Sequence, residues 1–247
     1  MKGYCFNPEK RGGKMKILVL CSGGLDSTVL LYKAVKEVGA ENVIAMNTFY
    51  GQKHAKEMEY AKWSCEHLGV VLHNVDLSAI FSFNPDCSAL LKGSKMNIKH
   101  KSYAEQLKEL KDAGKAPTVT AYVPYRNGLF LSYASAVALQ LECEKIYYGA
   151  HADDSAGRAY PDCTPEFIDA QAKAIYEGTA GKVKMEAPWW NLNKSEVVKA
   201  GLDLGMTHEE FEHTWSCYEG GETPCGTCGT CIDRKEAFVK NGIMDIN

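Results

Sequence analysis

The chain has 247 residues, 45% of them hydrophobic and 24% charged, with a formal net charge of −3. These values fit one large globular domain, or a domain with an appendage, and exclude a largely disordered chain. A mildly acidic chain is a poor match for direct nucleic-acid binding, since a phosphate-gripping domain is usually basic, so a small molecule is the default substrate.

The first fourteen residues are polar and read as an N-terminal extension (residues 1–14). Residues 16–21 form a short apolar run ended by Ser22, Gly23 and Gly24, which predicts a buried strand. Residues 27–38 carry apolar side chains at helical spacing and stop at Gly39, a plausible cap. A second strand is predicted over 42–48, an amphipathic helix over 53–68 closed by Gly69, and a third strand over 70–76. Strands alternating with helices imply a parallel sheet covered on both faces. Residues 77–123 break this rhythm with Lys, Ser, Pro85 and Pro117, and predict an excursion at the sheet's C-terminal edge, helical around 103–113. A long insert there often forms a lid or a substrate wall.

Regular structure resumes with an apolar helix over 128–142, a strand over 145–150, a helix over 164–177 and a short strand over 184–187. Asn193 and Glu196 suggest a capping box opening a helix that runs to Leu204. A last helix is predicted over 233–241. The whole is an α/β chain with a doubly wound, mainly parallel, Rossmann-like sheet over 15–205 and a cysteine-bearing C-terminal subdomain over 206–247. The longest uncharged stretch, 127–141, is 15 residues, short of the ~20 needed to span a bilayer. The first 15 residues lack a signal-like apolar run. No membrane association and a cytoplasmic location are expected.

The segment Cys21-Ser22-Gly23-Gly24-Leu25-Asp26-Ser27-Thr28 joins the first strand to the first helix. Ligands of open α/β sheets bind outside the carboxyl ends of the strands. Two glycines permit close backbone approach, Ser22, Ser27 and Thr28 offer hydroxyls, and the helix start supplies free amides and a positive dipole end. This is an anion cradle, most naturally for phosphate. Asp26 would repel bare phosphate, which suggests Mg²⁺ between carboxylate and ligand. Neither a Gly-Lys-Ser/Thr loop nor a Gly-x-Gly-x-x-Gly loop is present.

Six of ten cysteines are scattered, but Cys217, Cys225, Cys228 and Cys231 fall within fifteen residues. Four thiolates satisfy tetrahedral Zn²⁺ and leave no open position, so the expected site is structural; an iron–sulfur cluster is the alternative.

Ser22-Gly23-Gly24-Leu25-Asp26-Ser27 resembles the loop of the PP-loop ATP pyrophosphatases, of the adenine nucleotide α-hydrolase type. That resemblance implies ATP binding by the segment from Cys21 through Val29, Leu30 and Leu31, with AMP transfer to a substrate oxygen. The segments Tyr50 to His54, Val123 to Asn127, Tyr160 to Phe167 and Thr214 to Tyr218, taken with the four cysteines, resemble the 7-cyano-7-deazaguanine synthase family of queuosine precursor synthesis. The likeness spans 15–242, with departures at Phe49 and Tyr125. It implies ATP-dependent conversion of 7-carboxy-7-deazaguanine and ammonia to 7-cyano-7-deazaguanine, and a homodimer. No glutaminase segment is evident, so ammonia is expected from solution. Arg126 and Asn127, before and within a helix start, together with Tyr160, Asp162 and Cys163, are the candidate substrate residues.

Cys163 is expected as a cavity wall, since no His neighbour would activate it. His54 is expected on the face of the second helix, His151 at the active site, and Asp153 and Asp154 either on Mg²⁺ or in a solvated loop. Two other functions fit less well. Another PP-loop activity, tRNA thiolation or amidation of a different acid, would call for a basic face if tRNA were bound. A zinc-ribbon binding module would not need an intact Ser22–Ser27 motif.

Overall fold

The computed structural model describes residues 14–54 and 56–244. Apart from Lys14, the expected N-terminal extension lies outside the described residues. Five parallel strands form one sheet in the order β3-β2-β1-β4-β5: β1 Ile17–Leu20, β2 Val43–Phe49, β3 Val71–Asp76, β4 Lys145–Tyr147 and β5 Lys184–Glu186. The central strand is apolar throughout because both its faces are covered. Ile17 and Val19 enter the core on one face and Leu18 enters it on the other, the period of two that a pleated strand imposes.

The first face is covered by α1 (Leu25–Val38), with Val29, Leu30, Leu31 and Ala34 wholly buried. The chain leaves α1 at Gly39, whose N–H donates to the Val35 carbonyl at 2.8 Å. α2 (Lys56–Leu68) follows β2. The expected excursion holds α3 (Ser78–Phe81) and α4 (Tyr103–Asp112), the latter opened by a capping box between Ser102 and Glu105. It is a packed element. Ala89, Leu90 and Leu91 are buried, and the Lys53 N–H donates to the Leu90 carbonyl at 2.8 Å. α5 (Arg126–Gln140), α6 (Ala152–Ser155) and α7 (Pro165–Gly178) come next. α8 (Lys194–Leu204) carries the expected capping box of Asn193 and Glu196, then α9 (His208–Glu212) and α10 (Gly229–Lys240) close the fold. Phe211 of α9 and Phe238 of α10 join the core that α1 covers, with ring centroids 5.7 Å apart. No helix among the described residues is long and apolar enough to cross a membrane.

Two expectations need correction, and one further helix joins them. The strand expected over 145–150 stops at Tyr147, and the chain then turns past the start of α1, where a Cβ on Gly149 would sit 3.6 Å from the Ser27 backbone. The last helix begins at Gly229, four residues before the expected Asp233, because its first turn carries the knuckle: the Ile232 N–H donates to the Cys228 carbonyl at 3.1 Å. α9 was not anticipated, although Thr207 and Glu210 form its capping box.

Candidate active site

A cavity opens at the carboxyl ends of β1 and β4, where the strand order reverses. That is the place where α/β sheets bind ligands. One wall is the turn between β1 and α1. The Ser22 N–H donates to Ser27 Oγ at 3.1 Å, and Ser27 Oγ–H donates to the Gly24 carbonyl at 3.1 Å. Gly23 has φ +89°, and a Cβ there would meet the Glu57 carbonyl oxygen of α2 at 2.0 Å, so no other residue fits. Gly24 precedes α1 without any side-chain cap, which leaves the first helical amides facing the cavity.

Cys21, Ser22, Gly24, Leu25, Asp26 and Ser27 line this cavity. Thr28, Val29, Leu30 and Leu31 are wholly buried and do not line it; their place is under the sheet. Asn47, at the end of β2, donates through Nδ2 to the carbonyls of Cys21 at 2.8 Å and Ser22 at 3.1 Å. The Trp215 N–H donates to the Gly23 carbonyl at 3.0 Å, which ties the turn to the cysteine segment.

Asp26 does not face the cavity alone. Lys194 Nζ of α8 donates to Asp26 Oδ2 at 3.1 Å, and His151 Nε2 lies 3.6 Å from the same oxygen. Burial opposes ionisation, but Lys194 and His151 outweigh it and hold the carboxyl below its usual range. His151 is also 3.4 Å from Asp154 Oδ2, and the Lys194 N–H donates to Asp153 Oδ2 at 2.7 Å. His151 and Asp154 thus stand at the site, whereas Asp153 supports the start of α8.

The opposite wall is built around Arg126. Its guanidinium donates to Tyr50 Oη at 3.1 Å and lies 5.0 Å from the Tyr50 ring centroid and 5.8 Å from that of Phe130. Its Nε is buried without a protein partner. At the start of α5 the Asn127 N–H donates to Asp162 Oδ2 at 3.0 Å. Asp162 thus occupies the helix start, where a carboxylate is favoured by the dipole. Asn127 Nδ2 lies 3.5 Å from Cys163 Sγ, and Tyr148 Oη 3.2 Å from it. Burial pushes the Cys163 thiol well up, so it is a wall and not a thiolate. Tyr160 Oη lies 2.9 Å from Tyr103 Oη and 3.1 Å from Tyr218 Oη, closing a triangle of three hydroxyls between the turn, the excursion and the cysteine segment.

His54 departs from its expected place. It precedes α2, is buried, and packs on Gly220, where a Cβ would approach the His54 Cβ within 2.2 Å. Burial lowers its imidazole to about 4, so it is neutral.

The Sγ atoms of Cys217, Cys225, Cys228 and Cys231 all lie within 4.8 Å of one another. The Cys225 N–H donates to Cys217 Sγ and the Cys228 N–H to Cys225 Sγ, both at 3.3 Å. Amide donors of this kind favour thiolates. The cluster could hold a metal ion.

The sequence pointed to the turn, the cysteines and the Arg126–Cys163 wall. It missed Asn47, Lys194 and Tyr103, whose partners are far away along the chain; nothing in their local sequence marks them.

The model of the family described as "Queuosine biosynthesis protein QueC" matches residues 16–242. The 7-cyano-7-deazaguanine synthase of Caldicellulosiruptor saccharolyticus is 43% identical over 231 residues, covering 94% of each chain. That of Archaeoglobus fulgidus is 37% identical over 232 residues, covering 94% of this chain and 89% of its own. The solved structure of NMN synthetase from Francisella tularensis is similar with a TM-score of 0.47 at 16% identity, covering 94% of this chain and 79% of that one. By the extent of these matches, the chain belongs to the QueC family of queuosine biosynthesis proteins.

Proposed function

We propose that the chain converts 7-carboxy-7-deazaguanine and ammonia to 7-cyano-7-deazaguanine, using ATP to form adenylated intermediates. One observation carries this reading: a single cavity has uncapped helix amides and serine hydroxyls on one side and a guanidinium framed by aromatic rings on the other. The first side suits ATP phosphates. The second suits a planar aromatic acid, with Arg126 offsetting its carboxylate.

A carboxylate is a poor electrophile because oxide would have to leave. Attack of its oxygen on the α-phosphorus of ATP expels pyrophosphate and gives an acyl adenylate, from which AMP leaves readily. Ammonia displaces AMP to give the amide. The amide oxygen attacks a second ATP in the same way, and loss of AMP with the remaining nitrogen protons leaves the nitrile. The protein positions the reactants and offsets charge. Ser22, Ser27 and the α1 amides would hold the phosphates, and Lys194 keeps Asp26 ionised beside them.

Asp26 Oδ1 is buried without a partner and Asp154 stands close by on His151, an oxygen set that fits Mg²⁺. When bound, Mg²⁺ would neutralise phosphate charge. For the cysteine knuckle, a single tetrahedral zinc ion with Zn–S bonds of about 2.3 Å places its sulfurs roughly 3.8 Å apart. The spread within 4.8 Å supports one ion over an iron–sulfur cluster, which would hold the thiolates further apart.

The experiment is product analysis with ATP, ammonium and 7-carboxy-7-deazaguanine. The expected products are the nitrile, AMP and pyrophosphate, with the amide as an intermediate. ADP and phosphate, or turnover only with tRNA, would overturn the reading.

A further inference from the structure

The cavity holds an acid that neither the phosphate turn nor the Arg126 wall uses. Glu57, in the first turn of α2, lines the cavity beside Ser22, Tyr50 and Arg126. It is held firmly in place, since its own carbonyl oxygen is packed against Gly23 of the turn. Arg126 faces it from α5 and the Tyr50 phenol faces it from the end of β2, and these two are hydrogen-bonded to each other at 3.1 Å. Tyr218 lines the same cavity from the cysteine segment. The other acids lining the cavity are engaged: Asp26 by Lys194 and Asp154 by His151, at 3.4 Å.

We propose that Glu57 is the proton acceptor for the nitrogen nucleophile in this cavity. The role rests on the nitrile-forming chemistry above. As the nitrogen–carbon bond forms, the carbon–oxygen bond to AMP breaks and its electron pair leaves on the phosphate oxygen. One proton passes from nitrogen to a Glu57 carboxylate oxygen and then to solvent, leaving a neutral amide. The first adenylation, by contrast, releases no proton from the acid's oxygen, because the carboxylate attacks as an anion. Burial pushes Glu57 up to about 7, against the pull of Arg126. That suits a base that must both take and release protons near neutrality.

The difference between the two steps gives the test, on the full chain with Glu57→Gln and Glu57→Asp. Acid-dependent exchange of labelled pyrophosphate into ATP, without ammonium, reads the first adenylation. Amide and nitrile formation with ammonium reads nitrogen incorporation. For Glu57→Gln, exchange should stay near the wild-type rate while nitrogen incorporation falls on the order of 100-fold or more. Glu57→Asp should recover part of it. The wild-type rate should rise through pH 7 more steeply than the ionisation of ammonium explains, and the Gln variant should lose that excess. Nitrogen incorporation at the wild-type rate in Glu57→Gln overturns the proposal, as does a parallel loss of exchange, which would make Glu57 a prop for the turn. A wild-type enzyme without exchange would overturn the nitrile-forming reading itself, and the role of Glu57 with it.

Discussion

Glu57 and Asp26 line one cavity but are shifted in opposite directions, because they have different neighbours. Burial dominates at Glu57, whereas Lys194 and His151 overcome it at Asp26. A carboxyl raised from 4.5 to about 7 by folding contributes stability that is full below 4.5 and is lost as pH rises through 7. That loss amounts to at most about 3 kcal/mol. Glu57→Gln should therefore be more stable than wild type at pH 8 and not at pH 4.5, measured by denaturant unfolding at both. A constant difference at the two pH values would show that Glu57 is not buried as an acid. Arg126 presents a different case, since its planar fork both bonds to Tyr50 and lies over its ring. Arg126→Lys keeps the charge but loses the fork. It should raise KM for the acid several-fold and leave KM for ATP nearly unchanged; weakening of ATP instead would put Arg126 in the nucleotide site.

At the scale of elements, the start of α8 links local signal to site geometry. Asn193 Oδ1 accepts from the Glu196 N–H at 3.0 Å, and Glu196 Oε2 accepts from the Asn193 N–H at 2.8 Å. The next residue, Lys194, reaches Asp26. Asn193→Ala should cost about 1 kcal/mol of stability and slow pyrophosphate release as well, because the frayed turn no longer aims Lys194. Unfolding and initial-rate measurements on one sample read both effects. The cap was legible because its residues lie three apart, and the turn after β1 was legible because strand, glycines and helix are contiguous. The Asp26–Lys194 pair joins positions 168 residues apart, and local spacing carries no trace of it. The same holds for Tyr103, whose partners Tyr160 and Tyr218 come from two other segments. In the 77–123 excursion the helix expected around 103–113 is α4, whereas the buried strip of Ala89, Leu90 and Leu91 has no periodic signal among the lysines and prolines around it.

Across the molecule, the cysteine knuckle and the turn after β1 form one support. Trp215 donates its backbone N–H to the Gly23 carbonyl and its indole N–H to the Cys217 carbonyl at 2.8 Å. Ser216 and Thr230 line the cavity, and Thr230 Oγ1 donates to the Ser216 carbonyl at 2.6 Å. Arg234 of α10 is buried and donates to the Phe211 carbonyl at 3.0 Å, which locks the knuckle to α9. A metal bound in the four-cysteine cluster would therefore hold the back of the turn after β1, although no cysteine of the cluster belongs to that turn. Elemental analysis should find about one zinc per chain. Stripping it with a strong chelator in mild denaturant should lower Tm by at least about 10 °C, since structural zinc adds its binding free energy to folding and each kcal/mol shifts a chain of this size by about 2–4 °C. ATP binding should fail in the stripped protein while far-ultraviolet circular dichroism still reports an intact sheet, because β1 to β5 and α1 do not depend on the knuckle for their hydrogen bonds. Zinc readdition should restore binding. Iron with acid-labile sulfide would replace zinc in this account, and unchanged ATP binding after stripping would separate the knuckle from the site.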